Sequence, residues 1–412
     1  MVRPPFARSL AATSRAGMTA FRYPGYPTFW SANLAWNVAR WMEQLAVGWL
    51  SVELTHSAFL VAMIGFYRSL PLFLLGIFGG VLGDRFERRQ LLLVIQLVDV
   101  LVIAALAVLS LQGRLGYADL AIAEVIMGAA QALDWPSRRA ITVDLVGRED
   151  LANAVTLDST NQNLSRAIGP IASGVLIFAL SPATALAILA GFYVVNALLI
   201  ARLPPIPRQS VKPQAVLASL SSGFRAVLQD EAIVGVLLIT VAMNLLFFPY
   251  QQLLPVIAVD VLSLDSFGLG LLTAADGFGS FVGTLVLATL VGRRRNGIFF
   301  GLGALEACLC LFCFTFARSF TVAALLLWIG GFGRAGFSAF QATIILRNAG
   351  SEMRSRAMGI LTLAIGVGPF GQMESGAVAE GIGTPSAILA NVSACFVLVA
   401  LVVARYKQLR SA

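Results

Sequence analysis

Four carboxylates, Glu43, Glu124, Asp158 and Glu374, stand inside long apolar stretches of the chain. An ionisable group at the midplane of a membrane costs at least about 2.5 kcal/mol, so it must face a cavity or a partner. Desolvation favours the neutral acid and a nearby arginine favours the carboxylate, and a group balanced between the two can take up and release a proton. These four are candidate proton carriers, and Glu124, central in its stretch, is the first choice. Amides and cations accompany them at helical spacing. Asn33, Asn37, Arg40 and Gln44 are spaced i, i+4, i+7, i+11 and share one stripe; Glu124, Gln131 and Arg138 form a second, Asn244 and Gln251 a third, and Arg334, Ser338 and Gln341 a fourth. Trp36, Trp41, Phe247 and Phe248 add stacking surface. Such a set can hold a small molecule by charge, hydrogen bonds and stacking. The candidate cavity residues are therefore Asn33, Asn37, Arg40, Trp41, Gln131, Asn244, Phe248, Gln251, Arg334 and Gln341. The plainer alternative for any one charge is a packing pair, such as Arg40 with Glu43 three residues on. Asp99, Glu306 and Asp276 take that plainer reading.

The elements that must carry these residues follow from composition. Of 412 residues, 58% are hydrophobic and 12% charged, against about 45–50% apolar and about 25% charged in soluble domains. The apolar residues fall into blocks of roughly 20, long enough for helices to cross a hydrocarbon core of about 30 Å, and no alternating strand pattern suggests a barrel. The fold class is all-α: twelve transmembrane helices at 28–52, 57–83, 91–111, 116–136, 153–180, 183–202, 232–258, 266–291, 297–316, 320–345, 355–379 and 384–404. The polar stripes lie on spans 1, 4, 7 and 10, which line a central cavity. Span 6, with Asn196, and span 12, with Asn391, read as lipid-facing supports. Cys308, Cys310 and Cys313 share one apolar span and Cys395 lies in another, and His56 is the single histidine. That pattern offers no metal site, cofactor site, disulfide framework or catalytic triad.

With the N-terminus inside, cytoplasmic segments hold 23 of the 29 Lys and Arg, and the outer loops hold only Arg114 and Arg318. This asymmetry puts both termini in the cytoplasm, and the expected home is a prokaryotic inner membrane. Arg3, Arg8, Arg15 and Arg22 form a basic tail that fixes topology, and no apolar region of a cleavable signal peptide precedes span 1. The net charge of +8 is a topology signal and implies no nucleic-acid partner, and the short loops leave no soluble domain for a nucleotide. A Pro-rich loop divides the chain into a tail (1–27), a six-helix bundle (28–202), a linker (203–231), a second bundle (232–404) and a tail (405–412). Arg88-Arg89 before Asp99 echo Arg294-Arg295 before Glu306, and Gly169-Pro170 echo Gly368-Pro369. Two similar halves are the architecture of repeat-built transporters.

Between spans 2 and 3 stands Gly80-x-x-x-Asp84-Arg85-x-x-Arg88-Arg89, and span 5 carries Arg166-x-x-Gly169-Pro170-x-x-x-Gly174. The first resembles the signature of the major facilitator superfamily, and the second resembles its antiporter motif, although Ser173 stands where a glycine is common. The resemblance implies two six-helix bundles, a cytoplasmic latch at Asp84, Arg85 and Arg88, and export. Glu87 replaces a frequent glycine, and Gly292-Arg293-Arg294-Arg295 in the second half lacks the acid, so the latch is strong on one side only. Phe29-Trp30, Arg148-Glu149-Asp150-Leu151-Ala152-Asn153-Ala154, Ser222-Gly223-Phe224-Arg225 and Arg356-Ala357-Met358-Gly359 extend the similarity to the branch of enterobactin and macrolide exporters. The expected protein is no enzyme. It is a secondary transporter exporting small amphipathic compounds by alternating access in exchange for protons. An importer or proton-independent facilitator of a metabolite is the rival.

Overall fold

The computed structural model describes residues 18–83, 87–147, 149–204, 230–288, 296–349 and 353–411. Their regular structure is helical throughout, and no strand occurs among the described residues. The first bundle runs α1 (Tyr26–Thr55), α2 (Ala58–Gly83), α3 (Arg88–Leu111), α4 (Tyr117–Val146), α5 (Leu151–Ala179) and α6 (Pro182–Ala201). The second begins with α7, Glu231–Val261, and continues through α8 (Ser266–Ala288), α9 (Asn296–Phe314), α10 (Phe320–Asn348), α11 (Arg354–Ile365 and Gly368–Ile382) and α12 (Thr384–Arg405). A short α13 (Lys407–Ser411) follows.

Eight of these helices are long and apolar enough to cross a membrane: α2, α3, α6, α7, α8, α9, α10 and α12. The other four are the polar ones. α1, α4 and α5 bury Asn33, Asn37, Glu43, Glu124, Gln131, Asp134, Arg138 and Asn161 inside the protein, and α11 is interrupted after Ile365. In α7 the regular ladder fails twice, at π-turns Met243–Phe247 and Ile257–Val261. Pro249 and Pro255 lack the N–H that would close the bonds back to Leu245 and Gln251, which is a known cause of such turns.

α1 packs on α5 and α6, α2 on α4, and α3 on α4 and α6; in the second half α10 packs on α8 and α9, and α12 on α9 and α11. Two seams join the halves, α5 against α8 and α2 against Gly368–Ile382 of α11. Glycine makes the first seam close. A Cβ on Gly174 would fall 2.4 Å from the Ser266 carbonyl oxygen, and one on Gly270 would fall 2.6 Å from that of Pro170. The Ser266 hydroxyl donates to Gly174 O at 3.2 Å. In the second seam the Glu380 carboxylate accepts from Ser57 Oγ (2.9 Å) and Phe59 N (3.1 Å), satisfying the start of α2 from the opposite half. Gly376 meets Ala62, and Gly48 of α1 meets Pro255 of α7. All these contacts lie toward the end where α1 stops, here termed the far end. Toward the near end, where α1 starts, segment Arg354–Ile365 of α11 packs on α7 and α10 of its own half. The halves thus close on each other at the far end.

Overpacking a close helix contact costs about 1–3 kcal/mol. Gly174→Val should therefore lower the melting midpoint of the detergent-purified protein by several degrees. Gly191→Val, where a Cβ meets nothing within 4 Å, should leave it unchanged.

Candidate functional site

The middle of the first bundle is organised by Arg68 of α2. Its guanidinium donates to Glu43 of α1 and, at 3.2 Å, to Glu124 of α4. Its Nε and Nη2 donate to Gln131 Oε1 at 3.1 and 2.9 Å. The second oxygen of Glu43 accepts from Tyr193 Oη of α6 at 2.6 Å. Glu43 is 0% exposed and Glu124 3%. Two carboxylates share one cation, so the bonded group carries a formal charge of −1 and a single proton would neutralise it.

A second network runs nearer the near end. Arg138 pairs with Asp134 one turn back on α4 and donates to Asn33 Oδ1 of α1 at 2.7 Å. Gln96 of α3 donates to Asp134 Oδ2 at 2.9 Å and itself accepts from Asn196 of α6. Asn37 reaches Asn161 of α5 at 3.3 Å. These chains satisfy buried polar groups that would otherwise each cost a desolvation penalty.

In the second bundle Arg334 of α10, 2% exposed, pairs with Asp276 of α8 at 2.5 Å and donates to Asp276 O at 3.0 Å and Tyr250 Oη of α7 at 3.1 Å. Tyr250 donates to Asp276 Oδ1 at 3.0 Å. Asp276 also accepts from Arg166 of α5 at 3.2 Å, an ion pair that crosses between the halves.

Arg40 is held differently. Its guanidinium lies 5.9, 5.1 and 5.9 Å from the rings of Trp36, Trp41 and Trp135, and its buried Nε has no hydrogen-bond partner. Trp36 and Trp135 line a small cavity together with Asn33, Asn37, Arg138, Arg139, Thr142, Asp158 and Gln162, all from α1, α4 and α5 of the first bundle. Asp158 accepts from Thr142 Oγ1 at 3.1 Å.

Among the expected cavity residues, the structure thus brings Asn33, Asn37 and Gln131 into the first bundle's networks and Trp41 against Arg40. Gln341 donates to Thr240 Oγ1 at 2.6 Å and Asn244 to Thr240 O at 2.9 Å, knitting α10 to α7. Phe248 packs on Phe247 and Phe337, and Gln251 is half-buried on α7. Of the acids, Glu43 and Glu124 share a cation, Asp158 borders the cavity, and Glu374 lies apart, accepting from Asn391 (2.9 Å) and Ser375 (3.2 Å). In the latch motif, Asp84 and Arg85 lie outside the described residues and Gly80 falls in the last turn of α2. Arg88 pairs with Asp144, and Arg89 donates to Ala201 O at 2.6 Å, both inside the first bundle. In the antiporter-like motif, Gly169 lets α5 reach Trp41 and Gly174 lets it reach α8, while Pro170 sits within the α5 helix.

Asp276 is paired within the protein, with Arg334 and Arg166, in keeping with its plainer reading. Two readings change. Glu43 bonds Arg68 and Tyr193, so the in-helix pair Arg40–Glu43 gives way to a pair across helices. α6 is no bare support, because Tyr193 and Asn196 are buried, at 1% and 0% exposure, among the polar networks. Arg68, Asp134, Tyr193 and Tyr250 were not expected at the site. Arg68 carried a signal, as one of four arginines inside spans with Arg40, Arg166 and Arg334. The tyrosines carried none, since a phenol is at home in any apolar stretch.

Residues 15–412 match the family described as transmembrane secretion effector. The chain belongs to this family of the major facilitator superfamily. The enterobactin exporter EntS of Shigella boydii serotype 4 is 24% identical over 386 residues, covering 90% of this chain and 92% of the relative. The staphyloferrin A transporter of Staphylococcus aureus is 25% identical over 264 residues, 63% of this chain and 66% of the relative. The multidrug efflux pump Tap of Mycolicibacterium fortuitum is 23% identical over 364 residues, 84% and 87% respectively. The fold is similar to that of a bacterial homolog of the human lysosomal transporter Spinster in an inward-facing, unoccupied conformation (TM-score 0.74, 14% identity, 94% and 99% coverage). It is likewise similar to a POT family transporter solved with 5-aminolevulinic acid (TM-score 0.78, 10% identity, 94% and 97%). The chain is an integral membrane transporter of a small-molecule substrate and not an enzyme.

Removing one partner of a buried ion pair costs about 3–5 kcal/mol, chiefly because a buried charge is left uncompensated. Thermal unfolding should show Arg68→Gln strongly destabilised, and the triple variant Glu43→Gln/Arg68→Gln/Glu124→Gln should recover most of the loss.

Proposed function

We propose that this transporter exports small amphipathic organic compounds from the cytoplasm across the inner membrane in exchange for protons, by rocking two six-helix halves about the mid-span clusters. The observation that carries the proton coupling is the pair Glu43 and Glu124 on the single cation Arg68, a bonded group one proton short of neutrality. The excess of Lys and Arg on one side supports a cytoplasmic near end, and halves joined toward the far end fit a state loaded from that side. Export agrees with the names of the enterobactin exporter and the multidrug efflux pump among its relatives. One charge moving down 100 mV releases about 2.3 kcal/mol, enough for roughly a fifty-fold gradient of substrate.

The test uses everted membrane vesicles with an acidified lumen and a pH-sensitive dye, challenged with a panel of antibiotics, siderophores and dyes. At least one compound should dissipate the gradient in the wild type, and Glu124→Gln should slow that response by tenfold or more. Labelled compounds crossing in both proteins with the gradient untouched would instead make the protein a facilitator.

A further inference from the structure

The acids Glu43, Glu124, Asp134 and Asp276, none more than 6% exposed, are each paired with an arginine. Asp99 of α3 is buried to the same degree, at 4% exposure, yet makes no hydrogen bond or ion pair among the described residues. It stands midway along the 24 residues of Arg88–Leu111. Its side of the helix faces inward: Val94, Leu97, Leu101 and Val108 form the exposed stripe of α3, while Gln96, Asp99, Ile103 and Leu106 lie on the buried one. A packing pair needs a partner, and this acid has none.

Two bonds fix its level in the membrane. Asn196 of α6 donates to Gln96 of α3, and Tyr193 of α6 donates to Glu43 of α1. α3 and α6 pack together and run in opposite directions, so one turn beyond Gln96 meets one turn before Asn196, and Asp99 is level with Tyr193. It therefore lies between the Arg68 cluster and the Asp134–Arg138 network. The charged groups in electrostatic reach are Asp134 and Arg138 of α4, Glu43 of α1 and Arg68 of α2, with the Tyr193 phenol of α6 beside them. Both cations are already spent, Arg138 on Asp134 and Arg68 on two carboxylates. An ionised Asp99 would be a buried charge with no cation of its own and other carboxylates close by, and keeping the proton avoids that cost.

We infer that Asp99 is a second proton-binding site of the first bundle, neutral as long as Glu43 and Glu124 share Arg68, and that a proton arriving at that pair favours release of the proton on Asp99. The linkage is electrostatic. Protonating Glu43 or Glu124 takes the Arg68 group from one negative charge to none, which removes repulsion against a carboxylate at Asp99. The Asp99 O–H bond then breaks with its electron pair left on the carboxylate, and the proton leaves to water. This rests on the reading that the Arg68 group exchanges a proton, and it gives that group a partner; the neutrality of Asp99 in the present state does not depend on transport.

The test is infrared spectroscopy of the full chain in nanodiscs at neutral pH, where a carboxylic acid and a carboxylate absorb in separate regions. Asp99→Asn should remove one acid C=O band of the wild type, and isotopic labelling of aspartate side-chain carboxyls should shift that band in the unaltered chain. Asparagine keeps the shape and neutrality of the protonated acid, so Asp99→Asn should leave the melting midpoint unchanged. The linkage is read in two backgrounds. The band should be lost in Glu43→Gln/Glu124→Gln, where Arg68 is free to hold a carboxylate, and should be present in Glu43→Gln/Arg68→Gln/Glu124→Gln, where no such cation remains. If Asp99→Asn does not remain monodisperse, aspartate labelling reads the same band in the wild type and in both backgrounds. No aspartate acid band in the labelled wild type, an acid band unchanged by Asp99→Asn, or a band that persists when Arg68 alone is left would overturn the inference. The expected bands without gradient dissipation in the vesicle assay would uphold Asp99 as a proton-binding site and remove the proton exchange.

Discussion

A charge in a hydrocarbon slab must be answered by a partner or a cavity, and in this protein that requirement decides where the helices meet. Four arginines, Arg40, Arg68, Arg166 and Arg334, lie inside predicted spans, and each joins a different set of helices. Arg68 ties α2 to α1 and α4, and Tyr193 brings in α6. Arg334 ties α10 to α8 and α7. Arg166 ties the two halves together at Asp276. Apolar packing alone cannot choose helix partners this sharply in a membrane, since lipid tails are as apolar as leucine side chains. Polar partners and small residues do the choosing.

The small residues act beside the polar ones. Along α5 and α8, Gly174, Gly270 and Gly277 bring backbone within side-chain range of backbone, so the seam is narrow. Along α2 and α11, Gly376 does the same, and Glu380 closes the far end with hydrogen bonds to the start of α2. These seams combine close contact with few directional bonds, which suits surfaces that must part and rejoin.

Much of this was legible in the sequence, because hydropathy, glycine spacing and charge asymmetry are local properties of the chain. The spans 91–111 and 153–180 differ by only a few residues from Arg88–Leu111 and Leu151–Ala179. Where polar residues are buried, hydropathy stops short. Span 4, expected to end at 136, continues to Val146, because Ser137, Arg138 and Thr142 are covered by other helices. The breaks in α7 and α11 were missed, since a proline or glycine in a membrane helix disturbs it only as far as its neighbours allow. Which acid each arginine would meet was not legible, because Arg68 with Glu43, and Arg166 with Asp276, are pairings set by three-dimensional packing between residues 25 and 110 positions apart.

The place of the Arg166–Asp276 pair has a mechanical meaning. Both residues stand near the middle of their helices, Leu151–Ala179 and Ser266–Ala288, on the seam about which the proposed rocking takes place. In a rocking body, displacement grows with distance from the axis, so the helix ends swing through ångströms while atoms at the fulcrum barely translate. A bond at the fulcrum can bend without breaking. The pair is thereby suited to act as a pivot pin, keeping two opposite charges neutralised through the whole stroke while the opening and closing is left to the helix ends.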